Sequence, residues 1–206
     1  MTTSQPISTD QAILAAAEKL FLDKGYAKTS TTEIARVVGC NQALVHYYFR
    51  SKENLFKQIF ENKIKTFVLS LLQVSEEEIP FEEKLKQRIS SHFEMLRANR
   101  KLPVLLFNEV STNADLAQKL YEKISYLPLT VIEHIQKDLD VEFESGRICK
   151  TDARTLLFTI FSLNVMPFLA TPILNLFLHN SEKLLETMLD HRKEENIKFI
   201  LKSLKP

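Results

Sequence analysis

The sequence predicts an all-helical fold, and three observations support this prediction. Only three glycines occur among 206 residues, too few for the tight turns that β-sandwiches and β-barrels require. Near the N-terminus, apolar residues recur with the period of an amphipathic helix, at Ile13, Leu14, Ala17, Leu20 and Phe21. No segment alternates apolar and polar residues as a half-buried strand does. The chain length allows one or two domains that fold without disulfide bonds.

Capping signals predict where the individual helices begin and end. The segment Ser8 to Gln11 is a capping box, and Gly25 is expected to end the first helix in a left-handed turn. Ser30 and Glu33 repeat the start signal, and Gly39 ends a helix of only two turns. The expected helices span 9–24, 31–38, 42–48, 52–74, 81–99, 103–112, 114–124, 127–145, 152–170 and 183–204.

Charge and cysteine content limit the classes of function. The formal net charge is only +1, so any binding to nucleic acid must come from a local patch and not from a basic protein as a whole. Cys40 and Cys149 lie far apart, and the N-terminal segment lacks the charged and then apolar order of a signal peptide. We therefore expect a protein of the reducing cytoplasm.

The sequence contains no recognisable catalytic or metal-binding motif. Four histidines, His92, His134, His179 and His191, have no metal-ligand spacing with one another or with Cys149. No Ser, Cys or Thr occupies a nucleophile motif, and three glycines cannot form a glycine-rich phosphate loop. We predict that the protein is not an enzyme and binds neither a metal nor a cofactor.

The segment 155–181 contains no Asp, Glu, Lys or Arg and is long enough to cross a bilayer. Asn164, Pro167, Pro172 and Asn175 interrupt it, and no cluster of basic residues flanks either end. A helix that is apolar on all sides can instead lie between the core of its own subunit and a second subunit. We favour this buried interface over a membrane span.

Residues 31–50, TTEIARVVGCNQALVHYYFR, match a helix-turn-helix unit. Ala35 is small where the two helices cross, and Gly39 occupies the turn that needs a positive φ. The expected inward positions are Ile34, Val38, Cys40, Val45 and either Tyr48 or Phe49. The outward positions are then Asn41, Gln42, Ala43, Leu44, His46 and Tyr47. Such a polar and aromatic face suits the major groove of DNA, where Asn and Gln can pair with adenine.

A wider resemblance extends over residues 10–60. The motifs G-Y-x-x-T-S from Gly25, G-C-N-Q-A-L-V-H-Y-Y-F from Gly39 and S-K-E-N-L-F from Ser51 resemble the N-terminal domain of the TetR family of one-component transcriptional regulators. The resemblance implies that DNA is contacted by Thr31, Thr32, Asn41, Gln42, Ala43, Leu44, His46, Tyr47 and Lys52. The chain departs from the usual family pattern at Ala43-Leu44 and at His46-Tyr47, so the resemblance does not supply an operator sequence.

The same resemblance implies a division into a DNA-binding domain at 1–52 and a helical effector-binding and dimerisation domain at 53–206. The second part is rich in Phe, which at helical spacing usually indicates core, and the resemblance favours a largely apolar effector pocket there. Candidate pocket residues are His92, Phe107, Tyr121, His134, Phe161 and Asn164. We expect the last two long helices to form a homodimer, with Ile200 at its centre.

The resemblance implies a homodimeric, ligand-responsive repressor that leaves a palindromic operator when a small-molecule effector binds. The alternative is a helical protein that binds a small molecule or a lipid and has lost DNA binding. An all-helical enzyme is a third hypothesis, for which the sequence indicates no substrate.

Overall fold

The computed structural model describes residues 8–72, 79–124 and 126–206, and these residues form eleven helices and no strand. The predicted all-helical fold is therefore confirmed. In chain order the helices are α1 (Thr9–Lys24), α2 (Thr31–Val38), α3 (Gln42–Phe49), α4 (Lys52–Leu72), α5 (Phe81–Ala98), α6 (Leu102–Thr112), α7 (Ala114–Ile124), α8 (Tyr126–Glu144), α9 (Ala153–Leu169), α10 (Thr171–Phe177) and α11 (Glu182–Leu204).

The predicted helix limits agree with these bounds to within two residues, apart from one limit that lies outside the described residues and one helix that was not predicted. The predicted end of the fourth helix near residue 74 lies outside the described residues. The sequence did not predict α10, which follows α9 after Ala170 and has Pro172 in its first turn. Proline suits the first turn of a helix because its missing N–H has no intrahelical partner there.

Two of the expected caps differ from the prediction. Ser8 is the N-cap of α1, but its side chain makes no capping hydrogen bond, so the capping box expected there is wrong. Gly25 has φ +80° and ψ 168°, a positive φ without the ψ of a left-handed helical turn. By contrast, the Ser30 hydroxyl accepts a hydrogen bond from the backbone N–H of Glu33 as expected.

The chain divides into two compact units, of which the first combines the described residues of Met1–Ile64 with Leu105–Leu120. Its core is aromatic at the centre, where the rings of Phe21 and Phe56 meet edge to face with their centroids 5.0 Å apart. The buried apolar residues are Ile13, Ala17, Leu20, Phe21, Ile34, Ala35, Val45, Phe49, Leu55, Phe56, Ile59, Phe60 and Leu105. This unit is larger than residues 1–52, and the functional boundary after residue 52 stays a prediction.

The second unit comprises the described residues of Lys65–Val104 and Tyr121–Pro206. In it α9 packs on α5, α8 and α11. One of its two core clusters contains Ile200, which is completely buried in its own subunit. The expected position of Ile200 at the centre of a dimer interface is therefore wrong, because its side chain is buried in the core of its own subunit.

Ion pairs also join α5, and Arg100 just beyond its end, to α11 within the second unit. Arg97 donates to Asp190 at 2.6 Å and Arg100 donates to Glu182 at 2.6 Å. Both arginines also pair with Glu186. The charged rim of the α5–α11 contact thus flanks the buried core beneath it.

Within the described part of the chain, no single helix is both long and apolar enough to span a membrane. The pair α9 and α10 would pass that test together by length and composition, but the two helices are bent by 56° at their junction. In α9, Asn164, Val165 and Phe168 are buried inside the second unit. Part of the apolar segment 155–181 is therefore buried in the core of its own subunit.

Candidate nucleic-acid interface

The helix-turn-helix is held together by a small apolar core and a glycine turn. Ile34 and Ala35 of α2 pack with Val45 and Phe49 of α3, and Ala35 is only 3% exposed. Gly39 ends α2 with φ 77° and ψ 25°, the left-handed conformation that residues with a Cβ adopt at a cost. Of the two aromatic candidates for the inward position, Phe49 is buried, whereas Tyr48 is 43% exposed.

Asn41 begins α3 as its N-cap. Its Oδ1 accepts a hydrogen bond from the backbone N–H of Leu44 at 3.0 Å, which satisfies one of the free N–H groups at the start of a helix. The sequence assigned Asn41 to DNA contact and did not identify this second role. Because only Oδ1 is used in the cap, the amide nitrogen remains free to donate to a base or a phosphate.

Gln42 links the beginnings of α2 and α3. Its Nε2 donates to Thr31 Oγ1 at 3.1 Å, and its Oε1 accepts from Thr32 Oγ1 at 3.1 Å. Three of the predicted DNA contacts are thus brought together on an exposed surface. The amide keeps one N–H for a further partner, so the bonds orient the Gln42 side chain without exhausting it.

The rest of the predicted surface on α3 is exposed to solvent. Ala43 and His46 are exposed, Leu44 is 37% exposed and Tyr47 is 68% exposed. The rings of Tyr47 and Tyr48 meet edge to face with a centroid distance of 5.2 Å. Two exposed aromatic rings and an imidazole on one face are not needed for solubility, and this face is available to a partner.

Lys52 has partners inside the protein. Its ammonium group donates to the backbone oxygens of Tyr26 at 2.9 Å and of Thr29 at 3.0 Å, and it lies 4.1 Å from the centroid of the Tyr26 ring. Lys52 therefore attaches the beginning of α4 to the loop between α1 and α2. One N–H of the ammonium group is left for a phosphate, so DNA contact by Lys52 stays a prediction.

The sequence indicates Arg50 as one of the cations that can affect DNA affinity, but neither its backbone conformation nor the partners of Lys52 were predicted. Arg50 has φ 66° and ψ −46° after the end of α3, an uncommon conformation for a residue with a Cβ. No local sequence signal indicates that conformation, because α3, α4 and their junction decide it together. Arg36 carries a second exposed cation on α2, 3.9 Å from Glu33, and Glu33 also pairs with Lys24.

Two of the predicted effector-pocket residues are buried together in the second unit. The amide nitrogen of Asn164 donates to Ile89 O at 3.0 Å and contacts Nδ1 of His92 at 3.1 Å. The amide nitrogen of Asn196 donates to Leu163 O and to Asn164 Oδ1, each at 3.0 Å. We call His92, Asn164 and Asn196 the buried polar cluster, and these contacts join α5, α9 and α11.

Burial lowers the pKa of His92 to about 4, because an apolar environment disfavours the charged imidazolium. The neutral ring is also the form in which Nδ1 can accept from the Asn164 amide. His92 is therefore uncharged at neutral pH.

The other four candidate pocket residues are exposed on their own units. Phe107 belongs to the first unit and is 66% exposed, whereas Tyr121 of the second unit is 66% and Phe161 40% exposed. His134 is also exposed. Their contact with an effector stays a prediction.

The second unit contains a largely apolar cavity of about 470 Å³. Arg147 at its edge forms a two-pronged ion pair with Glu142, at 2.6 and 2.9 Å. The lining residues are Pro80, Phe81, Glu82, Glu142, Arg147, Ile148, Leu201, Leu204 and Lys205. The sequence analysis did not identify this cavity, because its walls come from chain segments far apart in the sequence.

Comparisons with known proteins agree with this architecture. Residues 13–59 match the family model described as "Bacterial regulatory proteins, tetR family". A helix-turn-helix transcriptional regulator of Bacillus subtilis, YhgD, is 24% identical over 77% of this chain and 82% of its own length. The fatty acid metabolism regulator protein of the same organism is 28% identical over 53% of this chain and 57% of its own length.

A solved structure has the same fold. The transcriptional regulator FadR of Bacillus subtilis in complex with stearoyl-CoA superposes with a TM-score of 0.68 and 21% identity, and the match covers 94% of this chain and 98% of that one. The match extends the likeness beyond the helix-turn-helix to nearly the whole chain. At 21% identity the similarity to this structure shows the fold alone.

Proposed function

Because the chain belongs to the TetR family of ligand-responsive, DNA-binding transcriptional regulators, which are not enzymes, we propose that it is a cytoplasmic repressor. A homodimer binds a palindromic operator, and a small-molecule effector releases it. The observation that carries the proposal is the exposed surface at the start of α3, where Gln42 joins Thr31 and Thr32. These hydrogen bonds hold the beginnings of α2 and α3 together. The free N–H groups of the two helix beginnings favour phosphate, and the neighbouring side chains can contact bases.

In this proposal the DNA-contacting residues are those that the resemblance implies. Gln42 and the neighbouring side chains of α3 contact base edges, whereas Thr31 and Lys52 contact phosphates. Base contacts provide specificity and phosphate contacts provide position and salt dependence. In a twofold dimer the two copies of α3 lie about 34–36 Å apart, one turn of DNA, which accounts for a palindromic operator.

The dimer interface is proposed on the exposed apolar side chains of α9, α10 and α11. Phe158 is 72% exposed, Phe177 is 76% and Phe199 is 59%. Further exposed apolar side chains in this set are Met166, Ile173, Leu176 and Leu184. So many large apolar groups facing water are typical of a surface that a second subunit covers.

We test the interface with Phe199→Glu, which introduces a charge at an exposed position and leaves the core intact. Light scattering should show monomers, and operator binding should weaken because a monomer contacts only one half-site. The control is Val141→Glu on α8, where an exposed apolar residue outside the proposed interface is charged. A dimer that persists in both Phe199→Glu and Phe158→Glu contradicts the interface.

The effector is proposed to be an amphipathic molecule with a long apolar chain, such as a fatty acyl thioester. Support comes from the largely apolar cavity of the second unit. A relative named as a fatty acid metabolism regulator and a structural neighbour solved with stearoyl-CoA add to it. An apolar chain gains free energy when it leaves water for such a lining.

Three helices are suited to transmit binding between the units, because α4, α6 and α7 each have residues in both. A ligand that favours one orientation of these helices changes the spacing of the two copies of α3. An effector that prefers the released state tenfold weakens operator binding by about 1.4 kcal/mol at most, and the operator weakens effector binding equally.

The test of DNA binding uses the full chain and DNA from immediately upstream of its own coding region. In fluorescence anisotropy, Gln42→Ala should reduce discrimination between operator and mutated operator, by about 1–3 kcal/mol for a lost base contact. Lys52→Ala should weaken binding to all sequences and reduce the salt slope by about one per subunit. Lys19→Ala on α1 is the matched control for the loss of one positive charge.

The outcome also decides between the proposal and a helical small-molecule- or lipid-binding protein without DNA binding. No specific binding to the upstream DNA, together with tight binding of stearoyl-CoA, supports that alternative. For a true effector, affinity measured with and without saturating operator should differ. Equal affinities contradict the release mechanism.

A further inference from the structure

The unit that contains the helix-turn-helix has a cavity of its own. Its lining residues belong neither to the proposed DNA surface nor to the cavity of the second unit. Its volume is about 190 Å³. It lies between the loop after α1, the beginning of α4 and the junction of α6 with α7. The lining residues are Tyr26, Glu53, Phe56, Glu109, Asn113 and Asp115. Three of the six carry a carboxylate, and none carries a positive charge.

Glu109 is the unusual member of this lining. It is 7% exposed, and in the described structure its carboxylate has neither a hydrogen bond nor an ion pair. Its oxygens are not among the buried polar atoms that lack a partner in the described structure, so they are open to the cavity that the residue lines. Glu109 also belongs to the last turn of α6, where the helix dipole adds negative potential. A positive group in the cavity would compensate this negative potential.

In the described structure the nearby lysines are paired with groups other than Glu109. The Lys52 ammonium group donates to the backbone oxygens of Tyr26 and Thr29, and Lys57 pairs with Glu53. Burial and the charges of Glu53 and Glu109 raise the pKa of the Tyr26 hydroxyl. Burial is the largest cause of this shift, and the two carboxylates add to it.

We propose that this cavity binds the ammonium group of a small organic amine. Glu109 accepts hydrogen bonds from the ammonium group, and the rings of Tyr26 and Phe56 contact the adjoining carbon atoms. The described residues contain no group of three or more Asp, Glu, His or Cys arranged to hold a metal ion. The cavity also greatly exceeds the ~30 Å³ that one water takes up in the liquid. An organic cation therefore fits the cavity better than a bare metal ion.

Such an amine would connect α6 to the beginning of α4 inside the unit that carries the helix-turn-helix. Binding to the folded state alone raises the melting temperature as the ligand concentration increases. This site and its chemistry do not depend on the effector site of the second unit. Its failure would leave the proposed operator release unaffected.

The experiment is calorimetric titration of the full chain at neutral pH with 1,4-diaminobutane and n-butylamine, each against sodium and magnesium chloride at matched ionic strength. We expect saturable binding of the amines and no competition from either salt beyond simple screening. Glu109→Gln, which keeps the shape and removes the charge, should weaken amine binding about tenfold or more. Glu61→Gln on α4, outside the cavity, is the matched control and should bind as the parent does.

A second variant and a second readout guard against a change in folding. Asp115 is exposed at the edge of the cavity, so Asp115→Asn should fold normally and reduce amine affinity by a smaller factor. In thermal unfolding, added amine should raise the melting temperature of the parent and leave that of Glu109→Gln nearly unchanged. The absence of saturable amine binding, equal affinity in Glu109→Gln, or displacement by magnesium at equal concentration would each overturn the proposal.

Discussion

The two units place their polar side chains by different means. In the first unit the polar bonds that shape the recognition surface join residues close in sequence, three apart for Asn41 and Leu44 and ten apart for Thr32 and Gln42. In the second unit the buried polar cluster joins His92 to Asn164 across 72 positions and Asn164 to Asn196 across 32. The DNA-binding unit is therefore predictable from local sequence, whereas the second unit depends on long-range packing.

The hydrogen bonds of the recognition surface and those of the buried polar cluster also differ in their exposure to water. The bonds of Gln42 are exposed, so water can replace either partner at little cost. Asn164 is fully buried and Asn196 is 1% exposed, so a lost partner there leaves a polar group without any substitute. We expect substitutions in the two sets to differ in effect, and the predictions below test that difference.

The largest expected effect is that of Asn164→Ala. It removes the donor to Ile89 O and the acceptor of Asn196, and it leaves a cavity among α5, α9 and α11. The free energy of unfolding should fall by about 3 kcal/mol. Urea unfolding followed by circular dichroism measures it. Ser162→Ala, at an exposed position of the same helix, should change it by about 0.5 kcal/mol or less.

The second prediction concerns acid. His92 has a pKa of about 4 in the folded protein against its usual 6.5, so the unfolded chain binds more protons between these two values. Stability conferred by the neutral ring is present above pH 6.5 and is lost as the pH falls towards 4. The loss should approach about 3 kcal/mol.

The pH profile of unfolding with His92→Gln tests this assignment. Glutamine can still accept from Asn164 but does not titrate, so the profile should flatten between pH 6.5 and 4. His191→Gln, at an exposed position of α11, should leave the slope unchanged. A slope that persists in His92→Gln would assign the acid sensitivity to other groups.

In the first unit we expect smaller effects, beginning with Gly39→Ala. A Cβ at position 39 meets no atom within 4 Å, so the cost is that of the left-handed backbone alone, about 1 kcal/mol. Ala43→Gly, on the exposed part of α3, is the matched control for a change between the same two residue types. A loss of several kcal/mol in Gly39→Ala would mean that the turn is coupled to packing, as in the second unit.

The smallest expected change in stability separates the two roles of Asn41. Asn41→Ser keeps a capping oxygen, so the free energy of unfolding should change by only a few tenths of a kcal/mol. Asn41→Ala removes the cap and should cost about 1 kcal/mol. If Asn41 also contacts DNA, both variants should bind the operator more weakly. Parental operator affinity in Asn41→Ser would restrict Asn41 to capping.

The candidate DNA surface was predictable for the same local reasons. Helical periodicity on either side of the Gly39 turn places Ile34, Ala35 and Val45 on the buried side, as the structure shows. What local sequence did not show is the use that the fold makes of individual side chains. Lys52 is held by Tyr26 and Thr29, a partnership that spans 26 and 23 positions and needs the packed loop.

The sequence by itself determined the helices, the helix-turn-helix and the outward set on α3, because helical periodicity and capping act over a few residues. Only the tertiary structure decided which apolar residues serve the core and which remain exposed: Ile200 is buried and Phe199 is not. It also decided that His92 and Asn164 meet and that Glu109 is buried at a cavity. These outcomes depend on which helices pack together, and packing brings together residues whose separation along the chain carries no local signal.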